Sequence, residues 1–92
     1  MRKVAKHHIG VTKETYQTVF LRDQGRCALC SEHRPEQLHL HHILTRHNKG
    51  KINDPNNCIM LCIQHHFIVH TDMKYWTPIL QGIVERRKHG RA

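Results

Sequence analysis

The stretch LHLHHIL, residues 38–44, decides how the rest of this sequence is interpreted. Its apolar positions and flanking turn residues predict a β-strand from Leu38 to Ile43. Histidine has no special preference for strands, so three imidazoles within seven residues need a chemical explanation. They could line the solvent-facing side of a strand, or they could belong to a metal or catalytic site.

Size sets the first limit on the fold. The chain has 92 residues, with two Phe, two Tyr and one Trp, which predicts one small domain with a marginal core. Such domains usually need disulfides, a metal or a partner. Residues 1–10 are basic without an apolar run, so we predict no secretory signal, and no segment is apolar enough to span a membrane. We therefore expect an intracellular protein, in which clustered Cys and His bind metal more often than they form disulfides.

The charge balance points to an anionic partner. Fifteen Lys and Arg against seven Asp and Glu give a formal charge of +8, which favours binding to nucleic acid. The alternative is that basic tails only aid solubility. The residues that we expect to contact nucleic-acid phosphates lie in a long loop and near the C-terminus: Arg46, Lys49, Lys51, Arg86, Arg87 and Lys88, with Arg2, Lys3, Lys6 and Arg91 extending the contact. Phosphate contacts do not read bases, so sequence specificity should be low or come from partner DNA-processing proteins.

The remaining pattern predicts an α+β domain. A helix should begin after Thr12 as N-cap, and Pro78 should precede a short amphipathic helix that Gly82 weakens. The predicted elements are a helix at 13–23, strands at 38–43 and 58–61, a long loop between the strands, and helices at 62–73 and after 78. We predict one domain over 1–92, with its core at about 22–73, a basic arm at 1–11, and a C-terminal helix and basic tail at 77–92.

Cysteine spacing predicts a structural zinc site. Cys27 and Cys30 form a C-x2-C pair, and Cys62 and His65 repeat the same spacing. Two such pairs supply the four nitrogen or sulfur ligands that tetrahedral zinc prefers. Cys58 could replace His65 as fourth ligand, or it could be a small core residue. We prefer His65, because its pairing with Cys62 is local.

A second group of histidines has the spacing of a divalent metal site. His66 and His70 lie four residues apart, which places both imidazoles on one face of a helix. Phosphodiester hydrolysis needs a base, for which a neutral imidazole is suited, and a group that stabilises the developing charge, such as a divalent ion. His41 and His42 could join this site. Strict alternation sends their side chains to opposite faces, so both can serve one site only if the strand ends or bulges there.

Three segments together resemble the HNH nuclease superfamily, which has the ββα-metal fold: CALC at 27–30, LHLHHIL at 38–44 and DPNNCIMLCIQHHFIVH at 54–70. The resemblance covers residues 22–70. The intervals are fifteen residues from His42 to Asn57, nine to His66 and four to His70, and they are similar to those of colicin-type DNases. The resemblance implies a β-hairpin and a helix held together by a structural zinc ion, with flanking helices.

The resemblance also implies roles for individual residues. His42 matches the general base, and Asn57 matches the residue that braces the two strands and orients that base. His41, His66 and His70 match ligands of a catalytic Mg²⁺, Mn²⁺ or other divalent ion. Cys27, Cys30 and Cys62 match the zinc ligands, while the fourth position is normally Cys and here is His65. The neighbouring His65 and His66 leave open which of them serves which ion.

The function implied is that of a metal-dependent DNA endonuclease or nickase that leaves 5′-phosphate and 3′-hydroxyl ends. Compact members of this family are common in phages and mobile elements, so we expect it in the cytoplasm of a bacterial or phage-infected cell. The alternatives are a zinc-knuckle module that binds nucleic acid without cutting it, and a small structural zinc protein. His39 receives no role in this interpretation and is expected to be a surface residue, like His33, His47 and His89.

Overall fold

The computed structural model describes residues 11–89, except for the side chains of Arg46 and His89. Most of the predicted basic arm, and the tail from Gly90 onward, lie outside the described residues. Within them the chain forms a small α+β fold with one two-stranded antiparallel sheet. The helices and strands are α1 Lys13–Arg22, β1 Leu38–His42, β2 Cys58–Cys62, α2 Ile63–Thr71 and α3 Met73–His89.

The hairpin of β1 and β2 forms the centre of the domain. Its register runs from the Leu38–Cys62 pair to the His42–Cys58 pair, so both predicted strands are confirmed to within one residue. All five residues of β2 are buried. Because successive side chains of a strand point to opposite faces, helices and loops must cover the hairpin on both sides.

Helix α1 covers β2 and begins where the sequence predicts. The Thr12 hydroxyl accepts a hydrogen bond from the backbone N–H of Thr15 at 3.1 Å, which is the expected N-cap contact. Val19 is fully buried, and Tyr16 and Phe20 pack against the same core. In the sequence, these three positions recur at the spacing of one helix face.

A buried carboxylate joins α1, β2 and α3. The side chain of Asp23 has no exposure to solvent, and its Oδ2 accepts a hydrogen bond from the backbone N–H of Met60 at 2.9 Å. The guanidinium of Arg22 donates to both of its oxygens, at 2.9 and 3.0 Å. Arg87 of α3 donates to Oδ1 at 2.6 Å. One carboxylate therefore ties three elements together, and the charge of Arg87 is used inside the fold.

Arg22 extends this network to the loop before β2. It donates to two backbone carbonyls, at 2.8 and 2.6 Å, those of Pro55 and Cys58. The end of α1 therefore fixes where the second strand begins.

The predicted start of the last helix is wrong. The helix begins at Met73 and continues through Pro78, whereas the sequence suggested a short helix beginning only near the proline. Asp72 begins the helix, because its Oδ1 accepts a hydrogen bond from the N–H of Tyr75 at 3.2 Å. Proline removes a single helical hydrogen bond here, and full burial of Leu80 and Val84 in the core offsets that loss.

The loop between the strands contains an obligatory glycine. A Cβ on Gly50 would lie 1.9 Å from the carbonyl oxygen of Leu44, which is far inside van der Waals contact. The N–H of Gly50 also donates to the carbonyl of Thr45 at 2.8 Å. The loop therefore folds back on the end of β1, which carries His42. In residues 11–89, no helix is both long enough and apolar enough to cross a membrane.

Removing the Asp23 carboxylate should destabilise the whole domain. In Asp23→Ala, two arginines lose their carboxylate partner and the buried N–H of Met60 loses its acceptor, so we expect the free energy of unfolding to fall by about 3 kcal/mol. Urea denaturation of the purified protein measures this. The control is Glu32→Gln, which breaks the solvent-exposed pair with Arg34 and should leave the midpoint unchanged. Equal midpoints for the two variants would contradict a structural role for Asp23.

Candidate metal centres

Four side chains from two distant segments meet at one end of the hairpin. The ligand atoms of Cys27, Cys30, Cys62 and His65 all lie within 4.8 Å of one another. Cys27 and Cys30 stand on a turn that is attached to β2 by a hydrogen bond from the N–H of Ala28 to the carbonyl of Met60, at 2.9 Å. This set is the Cys3His cluster, and it could hold a zinc ion.

The separations within the Cys3His cluster fit one tetrahedral ion. Zinc–sulfur bonds of about 2.3 Å place tetrahedral ligands about 3.5–3.8 Å apart. The Sγ atoms of Cys30 and Cys62 are 3.7 Å apart. The Nδ1 atom of His65 is 3.3 Å from Sγ of Cys62 and 3.9 Å from Sγ of Cys27. The four side chains therefore need little movement to share a zinc ion.

Backbone donors already point at the sulfur atoms. The N–H of Leu29 lies 3.4 Å from Sγ of Cys27, and the N–H of His65 lies 3.4 Å from Sγ of Cys62. Such donors stabilise the thiolate forms that bind zinc. Burial raises the pKa of the Cys27 thiol to about 11, so zinc must displace its proton at neutral pH.

Cys62 has three roles at this point of the chain. It is the last residue of β2, and its side chain caps α2 by accepting the N–H of His65. It also contributes a sulfur atom to the Cys3His cluster. The direction of α2 is therefore set by the same residue that would hold the zinc ion.

Cys58 lies apart from the Cys3His cluster. Its Sγ donates to the backbone carbonyl of Asp54 at 3.3 Å, and the residue is fully buried. Burial raises the pKa of its thiol to about 12, so it remains a neutral core thiol. Of the two fourth ligands that the sequence allowed, the geometry brings His65 to the other three.

A second cluster forms between β1 and α2. The ligand nitrogens of His41, His66 and His70 lie within 4.8 Å of one another, and this set is the three-histidine cluster. The Nε2 atoms of His66 and His70 are 3.1 Å apart. Metal–nitrogen bonds of about 2.0–2.1 Å give ligand separations of about 2.9–3.4 Å, depending on geometry, so this distance suits two ligands of one ion.

Burial decreases across the three-histidine cluster. His41 is 2% exposed, His66 is half-buried and His70 is exposed. One side of the cluster is therefore open to solvent. The adjacent His65 and His66 belong to different clusters: His65 lies in the Cys3His cluster and His66 in the three-histidine cluster. Successive residues of a helix point about 100° apart, so neighbours can face different sites.

His42 is not part of the three-histidine cluster. The pairing of β1 continues without a bulge to His42, opposite Cys58, and the strand then ends. Alternation alone would send the imidazole of His42 to the face opposite His41, but His42 is the last residue of β1, so strict alternation does not extend beyond it. Its Nε2 donates to the carbonyl of Ile52 at 2.7 Å in the neutral tautomer that this contact favours.

Asn57 braces the end of β1 against the loop. Its Oδ1 accepts the N–H of Leu44 at 2.9 Å, and its Nδ2 donates to the carbonyls of Leu44 and Lys51, at 2.9 and 3.1 Å. Its own carbonyl accepts the N–H of Ile43 at 2.8 Å. Lys51 precedes Ile52, so this buried amide also holds the segment that contacts His42.

The expectation that His39 is a surface residue is wrong. The structure makes it half-buried and places its Nδ1 3.1 Å from Nδ1 of His66. The signal was present in the sequence, because residues 39 and 41 of a strand share a face. His39 and His41 therefore both meet α2.

The residues expected to contact DNA differ in exposure and in ion pairing. Lys49, Lys51 and Arg86 are exposed, and the two lysines border an open cavity of about 280 Å³ that Asn57 and Gln81 also line. Arg87 pairs with Asp23, and Nζ of Lys88 lies 3.4 Å from a carboxylate oxygen of Glu85. The side chain of Arg46 lies outside the described part of the chain.

Comparison with protein-family models and with curated proteins gives no match. The function proposed below is therefore argued from the fold, the two clusters and the sequence motifs.

Replacing His65 and Cys58 one at a time should show which of them is the fourth zinc ligand. We expect about one zinc per chain in the purified protein, a large loss of zinc in His65→Ala, and full retention in Cys58→Ala. Metal analysis after dialysis against a weak chelator measures the content, and circular dichroism reports folding. Zinc loss from Cys58→Ala with retention in His65→Ala would reverse the assignment.

Proposed function

We propose that this protein is a metal-dependent DNA endonuclease or nickase of the HNH type, which hydrolyses phosphodiester bonds with a histidine base. The observation that carries the proposal is the convergence of His41, His66 and His70 from two distant segments. His42, the residue that the resemblance marks as the base, directly follows one of these three at the last position of β1, and the end of the strand there meets the condition for both histidines to serve one site. A protein that only binds nucleic acid has no need of this arrangement.

The order of the parts supports the same family. A cysteine turn, a hairpin and a helix follow one another, with the Cys3His cluster at the junction of hairpin and helix. This architecture is compatible with the ββα-metal fold that the sequence motifs resemble. The structural zinc ion would hold α2 against the hairpin, and so hold the three-histidine cluster together.

The three-histidine cluster fits a divalent ion by its donor chemistry. Three neutral imidazoles suit zinc, nickel and similar transition metals better than Mg²⁺, which prefers oxygen ligands. When bound, such an ion supplies Lewis-acid stabilisation of the charge on the phosphate and the leaving oxygen. His41 would be its buried ligand, and His66 and His70 would hold it from α2.

His42 is suited to remove a proton from water. Its Nε2–H donates to the carbonyl of Ile52, which leaves the lone pair of the neutral imidazole on Nδ1. That nitrogen would accept the proton of the attacking water. Asn57 acts indirectly, because its amide fixes Lys51 and the neighbouring carbonyl that orients the base.

The exposed lysines of the loop would position the DNA backbone. Lys49 and Lys51 lie on either side of Gly50, close to the end of β1, so they can contact phosphates that flank the cut. These contacts carry no base information, which agrees with low sequence specificity. The net charge of +8 would accelerate association with DNA.

Loss of the base should abolish cutting without loss of the fold. For His42→Ala we expect the rate of plasmid relaxation to fall at least about 100-fold, with the zinc content unchanged. The assay uses zinc-loaded protein with Mg²⁺, Mn²⁺ or Ni²⁺ added in turn. The matched control is His33→Ala, a change at an exposed histidine, which should cut like the wild type.

Two outcomes of this assay would count against the proposal. Equal cutting by His42→Ala and wild type would remove His42 as the base. Absence of cutting by wild type with every added metal, together with retained DNA binding, would favour the zinc-knuckle binding module.

The loop lysines should dominate the salt dependence of DNA binding. In the double variant Lys49→Gln/Lys51→Gln we expect weaker binding. We also expect the slope of log affinity against log salt concentration to become smaller in magnitude by about one for each lysine that contacts a phosphate. Fluorescence anisotropy with a DNA duplex measures this without added divalent ions. The control is Arg34→Gln, because Glu32 already neutralises that charge. An unchanged slope in the double variant would place the DNA elsewhere.

A further inference from the structure

We propose that His39 is a positioning residue that fixes the tautomer of His66, so that Nε2 of His66 carries the lone pair that binds the divalent ion. This inference rests on the metal site of the proposed function. It adds a fourth histidine to that site, not as a ligand but as the partner of a ligand.

The two ring nitrogens of His66 face different neighbours. Nδ1 lies 3.1 Å from Nδ1 of His39, and Nε2 lies 3.1 Å from Nε2 of His70. The rings of His39 and His66 are nearly perpendicular, at 82°. His39 therefore meets the outer nitrogen of His66, on the side away from His70, and does not belong to the ion-binding set.

A neutral imidazole carries one proton, and its position decides whether His66 can be a ligand. If Nδ1–H of His66 donates to His39, the lone pair of His66 is on Nε2, next to His70. If His39 donates instead, the proton of His66 is on Nε2 and blocks metal binding. For His66 to bind a metal through Nε2, His39 must accept the hydrogen bond at its Nδ1 and carry its own proton on Nε2. The Nε2–H form is the more common tautomer of neutral histidine.

His39 occupies a rigid and partly dry position. It lies within the paired region of β1, opposite Leu61, which is fully buried. Ligand histidines usually donate their second N–H to a carboxylate, a carbonyl or water, and loss of this partner costs about 10–100-fold in metal affinity. This chain uses an imidazole as the acceptor, which adds no charge to the cluster.

The tautomer can be tested without any second ion. Long-range ¹H–¹⁵N NMR spectra of the zinc-loaded protein, well above the ordinary histidine pKa of about 6.5, distinguish the two tautomers by their nitrogen shifts. We expect Nδ1–H for His66 in the wild type and a shift toward Nε2–H in His39→Phe. An Nε2–H tautomer of His66 in the wild type would overturn the inference.

Metal titration provides the second readout. We expect Ni²⁺ binding to zinc-loaded His39→Phe, measured by calorimetry, to be about tenfold weaker than in the wild type. His39→Asn should recover most of the affinity, because its Oδ1 takes a position similar to Nδ1 of histidine and accepts the same proton. The control is His33→Phe, which makes the same replacement at an exposed histidine and should leave binding unchanged.

The possible results separate this inference from the proposed function. Equal affinity in wild type and His39→Phe would overturn the role of His39 and leave the metal site standing. Weak Ni²⁺ binding by both His39→Phe and His39→Asn would show that the packing of the side chain at position 39 matters and its hydrogen-bond acceptor does not. That result would also overturn the role of His39. A wild type that binds no Ni²⁺ would remove the three-histidine metal site, and the role of His39 with it.

Discussion

The junction at Cys62 is the constraint on which the rest of the molecule depends. This residue ends β2, caps α2 and contributes a sulfur atom to the Cys3His cluster. A domain of this size buries little apolar surface, so a metal bound here would supply much of its folding free energy. The direction of α2 then determines whether His66 and His70 reach His41.

The buried carboxylate of Asp23 performs a similar task at the other side of the hairpin. It satisfies a backbone N–H of β2 and neutralises arginines from two helices. The hairpin thus has the Cys3His cluster, a candidate zinc site, at one end and the ion pairs of Asp23 on its flank. With so few aromatic residues available, buried polar contacts, and a zinc ion if one binds, would replace much of what a larger core provides.

Local patterns in the sequence predicted the elements that depend on short-range rules. The strands, α1 and the paired C-x2-C and C-x2-H spacings needed no long-range information, because alternation, capping and ligand spacing act over a few residues. Three features needed tertiary contacts: the continuation of α3 through Pro78, the meeting of Asp23 with Arg87, and the contact between His39 and His66. Core burial overrode the proline signal, and no rule of spacing links residues 23 and 87. The role of His39 could have been suspected from its shared face with His41.

The uneven burial of the three histidines would determine the route by which an ion binds and dissociates. One ligand lies deep against the sheet while another stands at the solvent boundary, so the ion would exchange through the outer side without opening the domain. The Cys3His cluster, by contrast, lies at the junction of hairpin and helix, so loss of an ion bound there would loosen that junction. If ions bind at both clusters, a mild chelator would remove the one at the three-histidine cluster first and leave the one at the Cys3His cluster, so the protein would stay folded.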